Sequence, residues 1–301
     1  MTGTVSALEV RDPRLHDVVA GDPLRRVVTG FRFLEGPVWH PVERSLVFSD
    51  IPAARMSRLQ MSASTADGEL SVFRDPSHMA NGNAYDRAGR LLTCEHATSR
   101  LVRQEADGSL VTLADGYQGK ELNSPNDVVV ARDGTIFFTD PAYGRAAPYG
   151  VPRSRELPFC GVYRLGGAGL ELLTDDVEGP NGLCLSLDER FLFVADTERM
   201  HIRRFELTDS GVAGGEVWAR TTGAGPGEPD GLKIDSAGNL FSCGPGGIHV
   251  LDPAGQALGV IEVPETTANF TWGDDDMCSL YICASTTLYR FRTRVPGIRA
   301  L

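Results

Sequence analysis

One unit recurs six times along this chain of 301 residues. It consists of a short apolar strand, a turn rich in Asp and Gly, a second apolar strand, and a third strand carrying Arg or an aromatic. The clearest copies are NDVVVARDGTIFFTD (126–140), NGLCLSLDERFLFVAD (181–196) and DGLKIDSAGNLFSCG (230–244). Fainter ones are EGPVWHPVERSLVFSD (35–50), NGNAYDRAGRLLTCE (81–95) and NFTWGDDDMCSLYICA (269–284). The units open at Glu35, Asn81, Asn126, Asn181, Asp230 and Asn269, at intervals of 46, 45, 55, 49 and 39 residues. That period belongs to four-stranded blades of about 40–50 residues arranged radially, each burying its apolar faces only against its neighbours. The expected fold is an all-β, six-bladed β-propeller. Two smaller β-domains would need a linker that the even spacing does not leave, and no GxGxxG opens a helix after a strand.

Within each unit the first turn falls at or beside the eighth residue after the opener, at Glu43, Gly89, Gly134, Glu189, Gly238 and Met277. Third strands are expected at 56–59, 101–103, 162–165, 202–205, 248–251 and 288–291. The last unit runs out of chain after its third strand. An unpaired edge is a liability, so RRVVTGF (25–31) is expected to supply the missing strand by pairing with 288–292. Residues 1–24 then read as an N-terminal extension and 25–301 as one propeller domain.

Composition narrows the function classes. There are 34 Gly and 18 Pro without collagen-like period, which suits many tight turns. The net charge of −11, without a basic block, argues against nucleic acid and anionic membranes as partners. No apolar run approaches the ~20 residues of a membrane span, and the first 25 residues lack a signal-peptide core. Six cysteines sit singly in strand-like segments with no CxxC pair, so they read as buried thiols in a reducing, cytoplasmic compartment.

The first strands of a propeller lie innermost and run the same way, so their openers converge at one mouth of the channel. All six openers carry side-chain oxygen. A single Asn-Gly or Asp-Gly is a turn former, but Glu35 is a poor turn residue and Asn126 precedes Asp. Two anionic and four neutral oxygen donors suit one hard divalent cation, most naturally Ca²⁺, with Zn²⁺, Mg²⁺ and Mn²⁺ as alternatives. Second strands end at the same mouth in Asp50, Glu95, Asp140 and Asp196. These acids either orient the ring, hold a second cation, or cap strand ends in solvent.

EGPVW (35–39), LNSPNDVVV (122–130), FTDPAYG (138–144), GPNGL (179–183) and PDGL (229–232), in this order on a six-unit repeat, resemble the gluconolactonase, regucalcin and luciferin-regenerating-enzyme family. The resemblance implies a propeller with one catalytic divalent metal, hydrolysing sugar lactones. It further implies Glu35, Asn181 and Asp230 as metal ligands, Asn126 as a ligand or a substrate contact, and Asp230 as the proton-transfer residue. The regucalcin-like branch carries a sugar-gripping Arg two residues before the Asn126 position, where this chain has Ser124. Asn81 and CEHATSR (94–100) instead look like the bacterial gluconolactonase branch.

Lactone hydrolysis needs a polarised carbonyl, an activated water and a proton for the leaving oxygen. No GxSxG nucleophile is present. Asn81, Asn126, Tyr143 and His96 are the candidate substrate-binding residues. His96 reads either as an accessory acid or base or as a hydrogen-bonded strand-end residue; His40, His201 and His249 read as structural. The insertion 144–160 leaves from the same mouth, as a lid or a solvated loop, and Arg145, Arg153 or Arg155 stand in for the missing Arg. Two other classes remain: an organophosphate or ester hydrolase on the same scaffold, and a non-catalytic calcium-binding propeller.

Overall fold

Second strands are buried at every position in Ser45–Asp50, Leu91–Glu95, Leu240–Gly244 and Ser279–Ala284. Their apolar runs are unbroken because each blade is covered on both faces by its neighbours. Outer strands such as Glu69–Arg74 and Leu110–Ala114 are largely exposed, so burial falls outward along each blade.

The computed structural model describes residues 7–61 and 68–299. Its blades are six antiparallel sheets around one axis. Their inner strands are Leu34–His40, Ala80–Tyr85, Val128–Val130, Pro180–Leu185, Leu232–Ile234 and Thr267–Gly273. All six expected third strands are present within observed ones: Arg55–Gln60, Arg100–Gln104, Gly161–Gly166, His201–Thr208, Gly247–Leu251 and Thr287–Arg292. The first turns place Gly89, Gly134, Glu189, Gly238 and Met277 at positive φ, and Arg44 takes that role beside Glu43. Among the described residues no helix is long and apolar enough to cross a membrane.

Closure occurs where the sequence places it. Arg25–Thr29 pairs antiparallel with Thr287–Arg292, in the register Arg25 to Arg290 and Thr29 to Thr287. Trp39 of the first blade stacks on Tyr281 of the last, with ring centroids 6.0 Å apart, and seals the seam. The segment ahead of the closing strand is also built in. Leu8–Val10 adds a fifth strand to the outer edge of the fifth blade, and Leu15, Val18 and Val19 are buried in the core shared with the sixth. Nothing in the repeat announces this strand, because it pairs across about 250 residues.

The openers do not form turns. Gly36, Gly82, Gly182 and Gly231, directly after four of them, abut the next opener around the ring. A Cβ on Gly82 would come 2.5 Å from Asn126 O, and those on the other three would meet Asn81, Asp230 and Asn269. These glycines admit the neighbouring blade at the narrowest part of the propeller. The cysteine reading needs a correction: all six thiols are free, but Cys160 and Cys278 are only half-buried. Both lie outside the strands, where neighbouring blades do not cover them.

Candidate active site

Inner strands bring Glu35, Asn81, Asn126, Asn181 and Asp230 onto the wall of one cavity of about 340 Å³, joined by His96 and Tyr143. That volume lies within the ~300–1,000 Å³ range of small-molecule sites. The residues chosen from sequence as metal ligands, proton carrier and substrate contacts therefore line a single space. The sixth opener does not: Asn269 donates Nδ2 to Glu35 Oε2 at 3.0 Å, while its Oδ1 accepts the Phe270 N–H. Asn269 braces the ring instead of facing the cavity. A second cavity, of about 240 Å³, lies at the far ends of the inner strands against Val128, Val130, Leu183 and Leu185, and contains no opener.

The side-chain amides have defined orientations. Asn181 donates Nδ2 to Thr197 Oγ1 at 3.1 Å, and that hydroxyl donates to Pro229 O at 2.6 Å, which leaves Asn181 Oδ1 for the cavity. Glu35 Oε2 accepts the Gly36 N–H at 2.5 Å as well as the Asn269 amide. Among the described residues, no three His, Cys, Asp or Glu side chains gather as a cation site. The openers on the cavity wall instead offer two carboxylates, Glu35 and Asp230, and three amides, Asn81, Asn126 and Asn181, whose oxygens are hard donors of the kind Ca²⁺ takes.

The strand-end acids hold backbone. Asp50 accepts the N–H groups of Arg32 and Phe33, Asp140 those of Asn123 and Ser124, and Asp196 those of Glu178 and Gly179. In each case the second donor lies two residues before the opener. These carboxylates fix the entry of the ring strands; buried and bonded to backbone through both oxygens, they do not cap strand ends in solvent. Glu95 differs, accepting from Thr98 and Arg100.

Burial sets the electrostatics. It pushes the Glu35 carboxyl up to about 7, with the Asp127 charge adding to it. Asp230 is raised well above the usual carboxylate range by burial and by the charges of Glu35, Asp127 and Glu228. Sequence reasoning missed Asp127, which is buried beside the ring with Oδ2 unpartnered among the described residues. Its signal was present: it is the one residue after an Asn or Asp opener that is neither Gly nor apolar. Lys233 offsets part of this negative charge, lowering both Glu35 and Asp127.

The 144–160 loop corrects one expectation. Arg145 is buried and donates to the carbonyls of Leu122, Asn123 and Ser154. Arg153 donates to His96 O and Ser99 Oγ, and Arg155 reaches Cys160. None of the three lines the cavity, because the guanidinium donors of Arg145 and Arg153 are drawn to backbone carbonyls of Leu122, Asn123, His96 and Ser154, tying the loop to the chain beneath it. Tyr149 of the same loop does line it, edge-on to Phe33 at 4.8 Å. His40 and His249 are tied to backbone, and His201 sits 3.7 Å from Asp196, all three away from the cavity.

Residues 33–286 match the model of the SMP-30/Gluconolactonase/LRE-like region. The chain is 30% identical to a gluconolactonase of Zymomonas mobilis over 98% of its own length and 88% of the relative's. It is 29% identical to pentonolactonase XacC of Haloferax volcanii, over 86% and 83% of the two chains. A solved gluconolactonase from Xanthomonas campestris superposes with a TM-score of 0.86 at 34% identity, covering 95% of this chain and 94% of that one. The protein thus belongs to the SMP-30/gluconolactonase/LRE-like family.

Proposed function

We propose that the protein hydrolyses sugar lactones at the cavity ringed by the blade openers. The observation that carries this reading is the convergence of Glu35, Asn126, Asn181 and Asp230 on one space with, among the described residues, no Ser or Cys on its wall. Gluconolactonase and pentonolactonase relatives support lactones as the substrate class. Glu35, Asn126, Asn181 and Asp230 would hold a divalent cation, Ca²⁺ first among the candidates. When bound, the cation supplies Lewis-acid polarisation of the lactone carbonyl.

The chain's own groups do the rest. Asp230, whose proton affinity is raised by burial and neighbouring acids, takes a proton from the attacking water and returns it to the leaving ring oxygen. Water thereby adds across the acyl C–O bond and yields the hydroxy acid. Asn126 and Asn181 contribute oxygen without adding charge. Tyr143, raised by burial, stays protonated and donates its O–H to Glu198 at 3.3 Å, so it offers the substrate its hydroxyl oxygen as an acceptor. Tyr149 and Phe33 furnish an aromatic wall.

The test is proton release from D-glucono-δ-lactone by chelator-stripped protein, with Ca²⁺, Mg²⁺, Mn²⁺ or Zn²⁺ restored singly. Metal-dependent turnover above the spontaneous rate is expected. No turnover with any metal, in protein that keeps its β-sheet circular dichroism, overturns the reading.

A further inference from the structure

Three groups from separate parts of the chain form a directed hydrogen-bond line at the cavity. His96 Nδ1 lies 2.8 Å from the backbone carbonyl of Tyr149, and His96 Nε2 lies 3.1 Å from Asn81 Nδ2. A carbonyl only accepts, so Nδ1 carries the proton. Burial lowers His96 to about 4, so the ring is neutral near neutral pH and Nε2 is bare. Nε2 therefore accepts from the Asn81 amide N–H. Asn81 is 2% exposed, and its Oδ1 is left without a partner among the described residues.

We propose that His96 is a positioning residue that locks the Asn81 amide, so that Asn81 Oδ1 is a dedicated acceptor for a ring hydroxyl of a polyhydroxylated lactone. This deepens the lactonase reading and rests on it. A free amide presents its oxygen or its NH₂ with little preference, whereas a locked one presents oxygen only. A hydroxylated substrate satisfies this buried acceptor, and one without the hydroxyl leaves it unpaired, which is how polar sites discriminate. The line begins on the 144–160 loop, so that loop selects substrate through its backbone and not through its arginines. Gly144 belongs to the same device: a Cβ there would come 2.6 Å from His96 Cγ.

The experiment compares kcat/KM for D-glucono-δ-lactone with that for δ-valerolactone, which lacks ring hydroxyls, in metal-loaded full-length protein. Asn81→Ala and His96→Phe should each lower the ratio about 10–100-fold, mostly through KM, and the double variant should be no worse than Asn81→Ala. His96→Gln, whose Oε1 can take the Asn81 N–H, should restore most of it. Equal losses on both substrates would reduce His96 to packing and overturn the proposal. Nitrogen-15 NMR of histidine-labelled protein reads the tautomer without turnover: a proton on His96 Nδ1 with bare Nε2 is expected, and a proton on Nε2 overturns the lock. If the wild type hydrolyses δ-valerolactone but no sugar lactone, the hydroxyl subsite falls alone. If it hydrolyses neither lactone, the lactonase reading falls and takes the subsite with it, while the NMR result still decides the lock.

Discussion

Asp140 accepts the backbone N–H of Ser124 at 2.7 Å, and Ser124 stands two residues before the ring residue Asn126. The same carboxylate accepts Asn123 N–H at 2.8 Å. Asp50 and Asp196 repeat the arrangement before Glu35 and Asn181. The ring is thus aimed by carboxylates that never reach the cavity.

Asp140→Ala leaves two buried N–H groups without an acceptor and should cost about 3 kcal/mol of stability. Asp196→Ala should cost a similar amount. Urea unfolding measures both. A loss below about 0.5 kcal/mol for both would mean that the entry strands are held by something else.

Asp230→Asn removes the proposed proton carrier but preserves shape. The fold should persist while kcat falls roughly 10²–10⁴-fold. Glu35→Gln should instead weaken cation affinity first, visible as a shifted Ca²⁺ activation curve before any change in saturated kcat. Steady-state kinetics across a cation titration separates the two.

Thr197→Val deletes the acceptor that holds Asn181 Nδ2. The freed amide can then turn its NH₂ towards the cation site, and affinity should drop about 10–100-fold, the usual scale for a group orienting a metal ligand. Isothermal titration with Ca²⁺ reads this directly.

Histidine burial makes a pH prediction. His96 binds a proton less readily folded, near 4, than unfolded, near 6.5. The unfolded chain therefore takes up more protons in that window, and stability falls as pH drops from 6.5 towards 4. In His96→Gln the corresponding part of the loss should vanish, while above pH 6.5 the two proteins differ by a constant. Chemical unfolding across the window gives the difference curve.

Truncation tests closure. Removing residues 1–20 deletes the strand Leu8–Val10 and the buried Leu15, Val18 and Val19, at a cost of about 5 kcal/mol. Removing 1–30 also opens the sixth blade along Thr287–Arg292, and that protein should not fold cooperatively. Scanning calorimetry on both proteins checks the order of severity; an unchanged melting temperature for the longer deletion would refute the closure role of Arg25–Thr29.

Much of the site was legible because each blade is built from neighbouring residues. Alternating strands and Asp-Gly turns reveal the repeat, and the repeat alone puts Glu35, Asn81, Asn126, Asn181 and Asp230 at one mouth. Asp127 was visible as an oddity after its opener, but its charge mattered only once burial removed water from around it. Tyr149 gave no signal, since a tyrosine in a Pro-rich loop reads the same whether it covers a cavity or faces solvent.

What the sequence by itself determined was the six-bladed architecture, the closing strand and the identity of the ring. The tertiary structure alone decided what each ring residue does. Asn81 and Asn269 look alike in sequence, yet one keeps an oxygen for the cavity and the other spends its amide on Glu35. The difference comes from partners supplied by other segments: His96 and the Tyr149 carbonyl for one, a carboxylate 234 residues away for the other. Local pattern dictates where a side chain sits, whereas its hydrogen bonds depend on which groups distant blades bring within 3 Å, out of reach of water.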